Sequence, residues 1–362
     1  MSSRPVLIMA GGTGGHVFPA LALARSLRAR SFDVVWLGTR RGIEARVVPR
    51  ERIPIEWLTV SGLRGKGLGT LLAAPFRLAL ALLQAVRVMR RHRPAVVVGL
   101  GGFVTGPGGV AAWLTGRPLL IHEQNAIAGF TNRCLARLAR EVLEAFPESF
   151  RGEVSARAIG NPVRADISAV PPPAQRFAQR SGPIRILVIG GSQGATRLNA
   201  VVPFALARLS GPAAFEVRHQ AGERWHEAAQ QNYASAGVRA QVTPFIDDMA
   251  EAFAWADLVI CRSGALTISE LAAVGVASIL VPFPAAVDDH QTHNARYLVA
   301  EGAAVLIPDR ELTAERLAEE LARLAAGRGK LLAMADRARL LAKPRATEDF
   351  ADACANLARS AA

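Results

Sequence analysis

Two glycine-rich loops carry the clearest chemistry in this sequence. Residues 11–15 (Gly-Gly-Thr-Gly-Gly) follow one apolar run, and residues 190–194 (Gly-Gly-Ser-Gln-Gly) follow another. A helical pattern comes next in both cases, so the backbone N–H groups of each loop would surround an anion at a helix N-terminus. Ser192 can also donate its hydroxyl group to a phosphate. For the first loop, the alternative is a tight turn that binds no ligand.

His16 stands directly after the first of these loops. Imidazole titrates near neutral pH, so a histidine beside an anion-binding loop is a candidate general base. The dinucleotide fingerprint GxGxxG fails here because its last position is Val17, and residues 38–40 (Gly-Thr-Arg) lack the expected acid. NAD binding is therefore disfavoured.

Polar residues also follow other apolar runs. Residues 122–125 (His-Glu-Gln-Asn) and residues 288–294 (Asp-Asp-His-Gln-Thr-His-Asn) stand where ligands bind in open parallel sheets. Glu270 falls in the first turns of a helix, where a carboxylate can accept two hydroxyls of a ribose or simply complement the helix dipole. Residues 99–109 contain six glycines, which either approach a ligand or allow close packing.

The acidic residues do not form a metal-binding pattern. The pairs at residues 247–248 and 288–289 are adjacent aspartates, no Asp-x-Asp occurs, and no histidine pair has the spacing of a zinc site. We therefore expect neither a metal nor a cofactor. Helix N-termini would stabilise a leaving group instead.

Short apolar runs alternate with helical patterns along the whole chain. The runs are continuous rather than alternating, which is typical of parallel strands covered by helices on both faces. We predict an α/β fold of two Rossmann-like, doubly wound domains facing across a cleft, residues 1–164 and 165–345. Their connector would lie within residues 161–183, which contain three successive prolines. A last helix, residues 346–362, packs on one of the two domains, and the sequence leaves open which.

Length and composition support a two-domain globular protein with anionic partners. The chain has 362 residues, of which 51% are apolar, and this excludes a disordered protein or a small disulfide scaffold. Its three cysteines are scattered, which indicates a reducing compartment. The net charge of +13 favours phosphate-bearing ligands, nucleic acid or anionic lipid. The first residues do not form a signal peptide.

The stretch from Leu68 to Met89 is the most apolar in the chain. A membrane-spanning helix is disfavoured because Pro75 and Arg77 fall near its middle, where an arginine costs ~2.5–3.5 kcal/mol. Arginines and a lysine flank the stretch, as in a helix that lies on an anionic membrane surface. The alternative is a core helix whose basic side faces water.

Six motifs follow one another along the chain: residues 11–19, 122–125, 160–164, 190–195, 245–249 and 261–270. Together they resemble the MurG family of peptidoglycan N-acetylglucosaminyltransferases, and the resemblance covers essentially the whole chain. It implies an inverting GT-B enzyme that uses UDP-GlcNAc. The acceptor would be the C4 hydroxyl of MurNAc in undecaprenyl-pyrophosphoryl-MurNAc-pentapeptide, so that lipid I becomes lipid II.

The resemblance also implies a location and partners. The Leu68–Met89 stretch is similar to the family's membrane-facing patch, which implies a peripheral protein at the cytoplasmic face of the inner membrane. Further proteins of cell-wall synthesis are expected as partners, and nucleic acid is not.

Site residues transfer by position from the same motifs. His16 is the first choice of general base, with His122 or Glu123 in reserve. The implied substrate contacts are Thr13, Gly14 and Gly15 near the diphosphate or sugar, Asn125 and Gln291 at the sugar, Arg164 and Ser192 at the donor, Ile246 at the uracil, Ala265, Leu266, Thr267, Ile268 and Ser269 around the nucleoside, and Glu270 at the ribose.

Two other classes of protein fit parts of the sequence. A different GT-B enzyme, such as a UDP-GlcNAc 2-epimerase, would share the nucleotide site but has no use for a basic apolar patch. A nucleic-acid binder would fit the pI of about 11.1. Such proteins interleave basic runs with aromatic residues, whereas aromatic residues make up only 6% here.

Overall fold

The computed structural model describes residues 4–60, 74–191, 195–209 and 215–360. The chain divides into two compact units, Met1–Pro162 with Arg345–Ala362, and Val163–Pro344. Ser192, in the second glycine loop, lies outside the described residues, and so does the first part of the apolar stretch, residues 68–73.

The first unit is built on a seven-stranded parallel sheet with the order β3-β2-β1-β4-β5-β6-β7. Its strands are β1 Val6–Ala10, β2 Val34–Gly38, β3 Ile55–Trp57, β4 Val96–Gly101, β5 Leu119–Glu123, β6 Glu141–Glu144 and β7 Arg157–Ala158. Its described α-helices are Gly14–Ala29, Glu44–Val47, Ala74–His92, Thr105–Leu114, Phe130–Ala136 and Ala346–Ser360, and Pro49–Glu51 is a 3-10 turn.

The second unit is built on a six-stranded parallel sheet with the order β10-β9-β8-β11-β12-β13. Its strands are β8 Ile184–Ile189, β9 Phe215–Gln220, β10 Gln241–Thr243, β11 Leu258–Cys261, β12 Ala277–Leu280 and β13 Ala304–Leu306. Its described α-helices are Ala165–Ser168, Pro173–Phe177, Thr196–Ala207, His226–Ser235, Met249–Trp255, Ala265–Val274, His290–Val299, Ala314–Ala325 and Arg328–Leu340; Glu223–Trp225, Val287–Asp289 and Asp309–Glu311 are 3-10 turns.

The predicted doubly wound architecture is confirmed in each unit. The central strands β1, β4, β8 and β11 are buried almost throughout, because apolar side chains on both faces of each strand are covered by helices. The strand order reverses between β1 and β4 and again between β8 and β11. Loops on either side of such a reversal diverge and leave a crevice at the carboxyl edge, which is where ligands bind in folds of this kind.

The last helix, Ala346–Ser360, belongs to the first unit. Phe350, Ala351 and Cys354 are buried in the same apolar cluster as Val6 and Ile8 of β1, and the helix packs along Gly14–Ala29. The chain therefore returns to its first sheet after completing the second. The sequence could not decide this, because apolar positions on a helix show that it packs but not on what.

The proline run at residues 171–173 is not a connector between the units. It lies inside the second unit, and Pro173 is the first residue of the helix Pro173–Phe177. A proline is tolerated there because the first N–H groups of a helix have no intrahelical partner. Only the last of the three prolines lies within the helix, since Pro172 is its extended N-cap residue.

The helix Ala74–His92 is apolar on more than one side. Ala81, Ala85 and Met89 are buried against the core, whereas Phe76 and Leu83 are 80% and 70% exposed. Within the described ranges, no helix has both the length and the apolar character needed to cross a membrane.

Candidate active site

A buried carboxylate holds the first glycine loop. Glu44 is fully buried and accepts a hydrogen bond from the backbone N–H of Gly12 at 3.0 Å. It also accepts bonds from the N–H and the hydroxyl of Thr39, at 2.9 and 2.8 Å. One side chain thus fixes the loops that follow two neighbouring strands, β1 and β2. Glu44 is not among the residues predicted from the sequence, where its only signal is that of an isolated acid among arginines shortly after β2.

His16 lies in the first turn of the helix Gly14–Ala29, at the reversal between β1 and β4. Its Nδ1 atom is 2.8 Å from Oε1 of Gln124, which follows β5. Gly101, with a φ of +115°, faces the ring, and a Cβ atom there would lie 2.8 Å from Cε1 of His16. The loops after β1, β4 and β5 therefore meet around this imidazole.

The glycine-rich stretch of residues 99–109 serves close packing. A side chain at Gly102 would collide with the carbonyl oxygen of Gly11, and one at Gly108 would collide with the sulfur of Met9. The absence of Cβ atoms thus lets the β4 region approach β1 and its loop. Between the two interpretations that the sequence left open, these contacts favour packing.

His122, one of the reserve candidates for the base, is fully buried. Its Nε2–H donates to the carbonyl of Gly160 at 3.0 Å, its Nδ1 lies 3.0 Å from Nε2 of Gln124, and its ring stacks on Phe350 at 4.7 Å. Burial lowers the pKa of His122 to about 4, although the bond to Gly160 opposes this. Both nitrogens are occupied within the fold, and this argues against a direct role as base.

Glu123, the other reserve candidate, is buried and saturated with hydrogen bonds. One carboxylate oxygen accepts from the backbone N–H and the side-chain amide of Asn125, and the other accepts from Gly129 and Asn132, all at 2.8–3.2 Å. Four donors fill the lone pairs of a carboxylate. Glu123 therefore organises the loop after β5 and fixes the position of Asn125.

In the second unit, Gln220 holds the second glycine loop. This buried side chain at the end of β9 accepts from the N–H of Gly191 and donates to its carbonyl, both at 3.1 Å. It also donates to the carbonyl of Pro244 at 3.3 Å. Gln220 is not among the predicted residues either, because a glutamine after an apolar run has no distinctive signal.

The helix Ala265–Val274 begins beside the residues that follow β12. Ser263, just before the helix, donates its hydroxyl to the carbonyl of Gln291 at 2.8 Å, and Oε1 of Gln291 accepts from the N–H of Phe283 at 2.8 Å. Gln291 is thus fixed close to the N-terminus of that helix. The first turn of a helix presents unbonded N–H groups and attracts anions.

The substrate candidates along this helix differ in how they can make contact. Ala265 and Ile268 are buried, so only their backbone atoms are available. Leu266, Thr267 and Ser269 are half-buried, and Ser269 donates to the carbonyl of Ala265 at 3.0 Å. Ile246 lies apart from this helix in sequence, half-buried in the loop after β10.

Glu270 has the most perturbed carboxyl among the candidates. Part of its surface is accessible, yet burial raises its pKa to about 7; the charge of Arg164 lowers this pKa and that of Asp166 raises it. Arg164 precedes the helix Ala165–Ser168, which packs on the helix Ala265–Val274. The fold therefore brings Arg164 and Glu270, over 100 residues apart in the chain, into electrostatic contact.

Metal-binding clusters are absent from the residues that the structure describes, since no three side chains of His, Cys, Asp or Glu converge as a metal site requires. The first turn of the helix Ala265–Val274 has backbone N–H groups that can face an anionic ligand, whereas the N–H of Gly191 in the loop after β8 is already bonded to Gln220.

Two domain families cover most of the chain, and they define its class. Residues 6–144 match the glycosyltransferase family 28 N-terminal domain, and residues 185–354 match the family 28 C-terminal domain. The calicheamicin glycosyltransferase CalG4 shares the fold, with a TM-score of 0.68 over both chains at 17% identity. The fold and these domains define a glycosyltransferase.

Closer relatives narrow the class. A protein of Alkalilimnicola ehrlichii is 59% identical over 99% of this chain and all of its own length, and one of Marinobacter nauticus is 57% identical over 97% of each. Both are named UDP-N-acetylglucosamine–N-acetylmuramyl-(pentapeptide) pyrophosphoryl-undecaprenol N-acetylglucosamine transferase. The crystal structure of Acinetobacter baumannii MurG is 43% identical and superimposes over 98% of this chain and 99% of its own, with a TM-score of 0.87. The chain belongs to the MurG family.

The bonds around Glu44 predict the effect of replacing it by its amide. In Glu44→Gln, one oxygen becomes an NH₂ group that faces N–H donors, so at least one buried donor loses its partner. We expect a loss of about 1–3 kcal/mol in the free energy of unfolding, measured by urea denaturation.

The matched control is Glu51→Gln, which removes the charge of an ion pair at the surface with Arg25. It should cost less than about 1 kcal/mol. Equal losses in the two variants would contradict the role assigned to Glu44.

Proposed function

We propose that this chain transfers N-acetylglucosamine from UDP-GlcNAc to the C4 hydroxyl of MurNAc in undecaprenyl-pyrophosphoryl-MurNAc-pentapeptide, with inversion at the anomeric carbon. The reaction converts lipid I to lipid II in peptidoglycan synthesis. The observation that carries the proposal is the 59% identity, over 99% of this chain, to a relative that bears the name of this activity.

The second unit binds the donor in this proposal. The N-terminus of the helix Ala265–Val274 and the loop after β8, with Ser192, face the diphosphate and stabilise the departing UDP. Glu270 accepts the ribose hydroxyls, Ile246 contacts the uracil, and Arg164 lies close enough to Glu270 for its charge to act on the same site. Gln291, held beside this helix, contacts the sugar.

The first unit supplies the base and the acceptor site. The C4 oxygen attacks the anomeric carbon of GlcNAc, the bond from that carbon to the UDP oxygen breaks, and the proton of the hydroxyl passes to His16. Thr13, Gly14 and Gly15 contact the diphosphate or the sugar, and Asn125, held by Glu123, contacts GlcNAc. The contacts that occupy His122 and Glu123 favour His16 among the three candidates.

The helix Ala74–His92 brings the enzyme to its lipid-linked acceptor in this proposal. Its exposed Phe76, Leu80 and Leu83 lie on one face of a helix that ends in Arg90, Arg91 and His92. An apolar face with basic neighbours fits the surface of an anionic bilayer. The protein would lie on the cytoplasmic face of the inner membrane.

A transfer assay with defined substrates tests the function. The purified chain is incubated with labelled UDP-GlcNAc and a lipid I analogue, and both the released UDP and the labelled acceptor are measured. We expect one labelled disaccharide-lipid for each UDP released. UDP release with free ManNAc and no labelled acceptor would support a 2-epimerase instead and would overturn the proposal.

Removing the base should affect turnover and spare donor binding. We expect His16→Ala to lower kcat by ~10²–10⁴-fold, because the hydroxyl then attacks without a proton acceptor. The dissociation constant for UDP-GlcNAc, measured by calorimetry, should stay within a factor of about three. A change of that size is well below about 1.4 kcal/mol of binding free energy, which corresponds to a factor of ten. His92→Ala, which alters a histidine paired with Glu56, is the control. An unchanged kcat in His16→Ala would remove His16 from this role.

The raised pKa of Glu270 predicts that donor binding depends on pH. Only the ionised carboxylate accepts both ribose hydroxyls, so binding favours the deprotonated form. The affinity for UDP-GlcNAc should fall as pH drops below about 7, approaching a tenfold loss for each pH unit. UDP-GlcNAc is the suitable probe because its diphosphate diester does not titrate in this range.

Two variants separate this effect from general unfolding. Glu270→Gln should bind weakly with a flat pH profile. Asp166→Asn removes a charge that raises the pKa of Glu270, so it should move the midpoint of the profile to lower pH. A wild-type profile that stays flat between pH 5 and 8 would contradict the assignment.

The membrane-facing role of the helix Ala74–His92 is tested by sedimentation with liposomes. Phe76→Glu combined with Leu83→Glu should shift the protein from vesicles containing phosphatidylglycerol to the supernatant, because both side chains are exposed and the fold does not need them. The matched control combines Phe204→Glu with Leu340→Glu, which are exposed in the second unit. If both pairs release the protein equally, the helix has no special role.

A further inference from the structure

We propose that Gln124, oriented by His122, fixes the tautomer of His16, so that Nδ1 of His16 carries the proton and Nε2 presents a lone pair to the substrate. Gln124 and His122 are therefore positioning residues for the reaction. The inference rests on the proposed function, in which His16 is the general base.

The orientation of the Gln124 amide is fixed by a backbone carbonyl. Nε2 of Gln124 lies 2.9 Å from the carbonyl oxygen of His122, and a carbonyl oxygen only accepts hydrogen bonds. The reverse orientation would place two carbonyl oxygens against each other at that distance. The amide nitrogen therefore faces His122, and Oε1 faces His16.

The state of His122 agrees with this orientation. Its Nε2 lies 3.0 Å from the carbonyl of Gly160, so this nitrogen carries a proton. Full burial keeps the ring neutral, since it lowers the pKa of His122 to about 4. The other nitrogen, Nδ1, then has a free lone pair, and it lies 3.0 Å from the amide nitrogen of Gln124. Two acceptors of His122, its carbonyl oxygen and its Nδ1, thus hold the NH₂ group of Gln124.

The proton on His16 follows from the same chain of bonds. Oε1 of Gln124 is an acceptor, and Nδ1 of His16 lies 2.8 Å from it. A short contact of this kind requires a proton on Nδ1. In the neutral imidazole, the lone pair is then on Nε2. The donor and acceptor directions of these hydrogen bonds are set at the end away from His16, by the carbonyl groups of His122 and Gly160.

This tautomer decides whether the imidazole of His16 can act as the general base. A neutral histidine with its proton on Nε2 has no lone pair on that nitrogen and cannot accept the hydroxyl proton there. When Nε2 takes that proton, Nδ1–H keeps its bond to Gln124, so the ring is held in place before and after transfer. An amide can do this without adding a negative charge beside a site that binds a diphosphate.

His122, at the end of the hydrogen bonds away from His16, is held by an element distant in sequence. The ring of His122 stacks on Phe350 of the last helix, with centroids 4.7 Å apart and planes 21° from parallel. Phe350 itself is fully buried. The return of the last helix to the first unit thus supports the residue that orients Gln124.

Nitrogen NMR on the whole protein tests the tautomer directly and does not depend on turnover. The seven histidines are labelled with ¹⁵N, and the signals of His16 are assigned by comparison with His16→Ala. At a pH where His16 is neutral, we expect the shift of a protonated nitrogen at Nδ1 and of an unprotonated nitrogen at Nε2. The opposite assignment in the wild type would overturn the proposal.

Substitutions of Gln124 test whether this residue sets the tautomer of His16. Gln124→Met has a similar shape but no acceptor, so the proton of His16 should distribute over both ring nitrogens. We expect kcat to fall at least about tenfold, up to the loss in His16→Ala, with KM for UDP-GlcNAc changed less than about threefold. In Gln124→Glu, the oxygen that replaces the amide nitrogen faces two acceptors of His122, so this carboxyl group should hold a proton there. Its other oxygen then accepts from Nδ1–H of His16, so the tautomer and part of kcat should return at a pH where the carboxyl is protonated.

A control separates tautomer control from loosening of the loop. Asn132→Ala removes a side-chain amide that bonds Glu123 and the carbonyl of His122 in the same loop. It should leave the tautomer of His16 unchanged even where it lowers activity. If Gln124→Met keeps the wild-type tautomer, or if Asn132→Ala changes the tautomer as much as Gln124→Met does, the proposal is wrong.

The tautomer and the function can fail separately. A wild-type protein with the expected tautomer but no labelled disaccharide would overturn the proposed function and leave the hydrogen-bond chain standing. A wild-type protein that makes the disaccharide with the opposite tautomer would overturn this inference alone. If Gln124→Met does not fold, the wild-type spectrum and Gln124→Glu still decide.

Discussion

Buried polar side chains that hydrogen-bond backbone groups hold the loops of this protein in place at the carboxyl edges of its sheets. Glu44 ties Gly12 to Thr39, Glu123 ties Asn125 to Gly129, and Gln220 holds Gly191. Loops with many glycines have high conformational entropy, so an ordered anion-binding geometry requires such anchors. An unmet buried donor costs about 1–3 kcal/mol, which makes each anchor a strong constraint on the loop above it.

Buried polar side chains hold the loops in both units, but the groups that these loops position differ between the units. In the second unit, Gln291 is held beside the helix Ala265–Val274, whose first turn has backbone N–H groups that suit a diphosphate. The same helix carries Glu270, a carboxyl with a raised pKa. In the first unit, the anchored elements surround a histidine whose Nδ1 is held by an amide oxygen. Both arrangements use the reversal of strand order, where loops from non-adjacent positions in the chain become neighbours.

Much of the fold could be predicted because each strand is a continuous apolar run. The runs at β1, β4, β8 and β11 are the central strands, and the glycine loops follow the first strand of each sheet as expected. The candidate residues were found because they stand in motifs after strands or at the start of a helix, and the family resemblance assigned their roles. Residues whose role is to hold other residues were not found. Glu44 and Gln220 have no motif, since a buried acid or amide is recognised only by the donors around it.

The sequence by itself determined the class of fold, the family and the positions of the loops, because these depend on local periodicity and on motifs read in order. Tertiary structure alone decided that the last helix returns to the first sheet, that His122 and Glu123 are buried anchors, and that Gln124 faces His16. Hydrogen-bond direction and burial depend on atoms far apart in the chain. Gly160, Phe350 and Gln124 meet at His122 only after the sheet and its helices have packed.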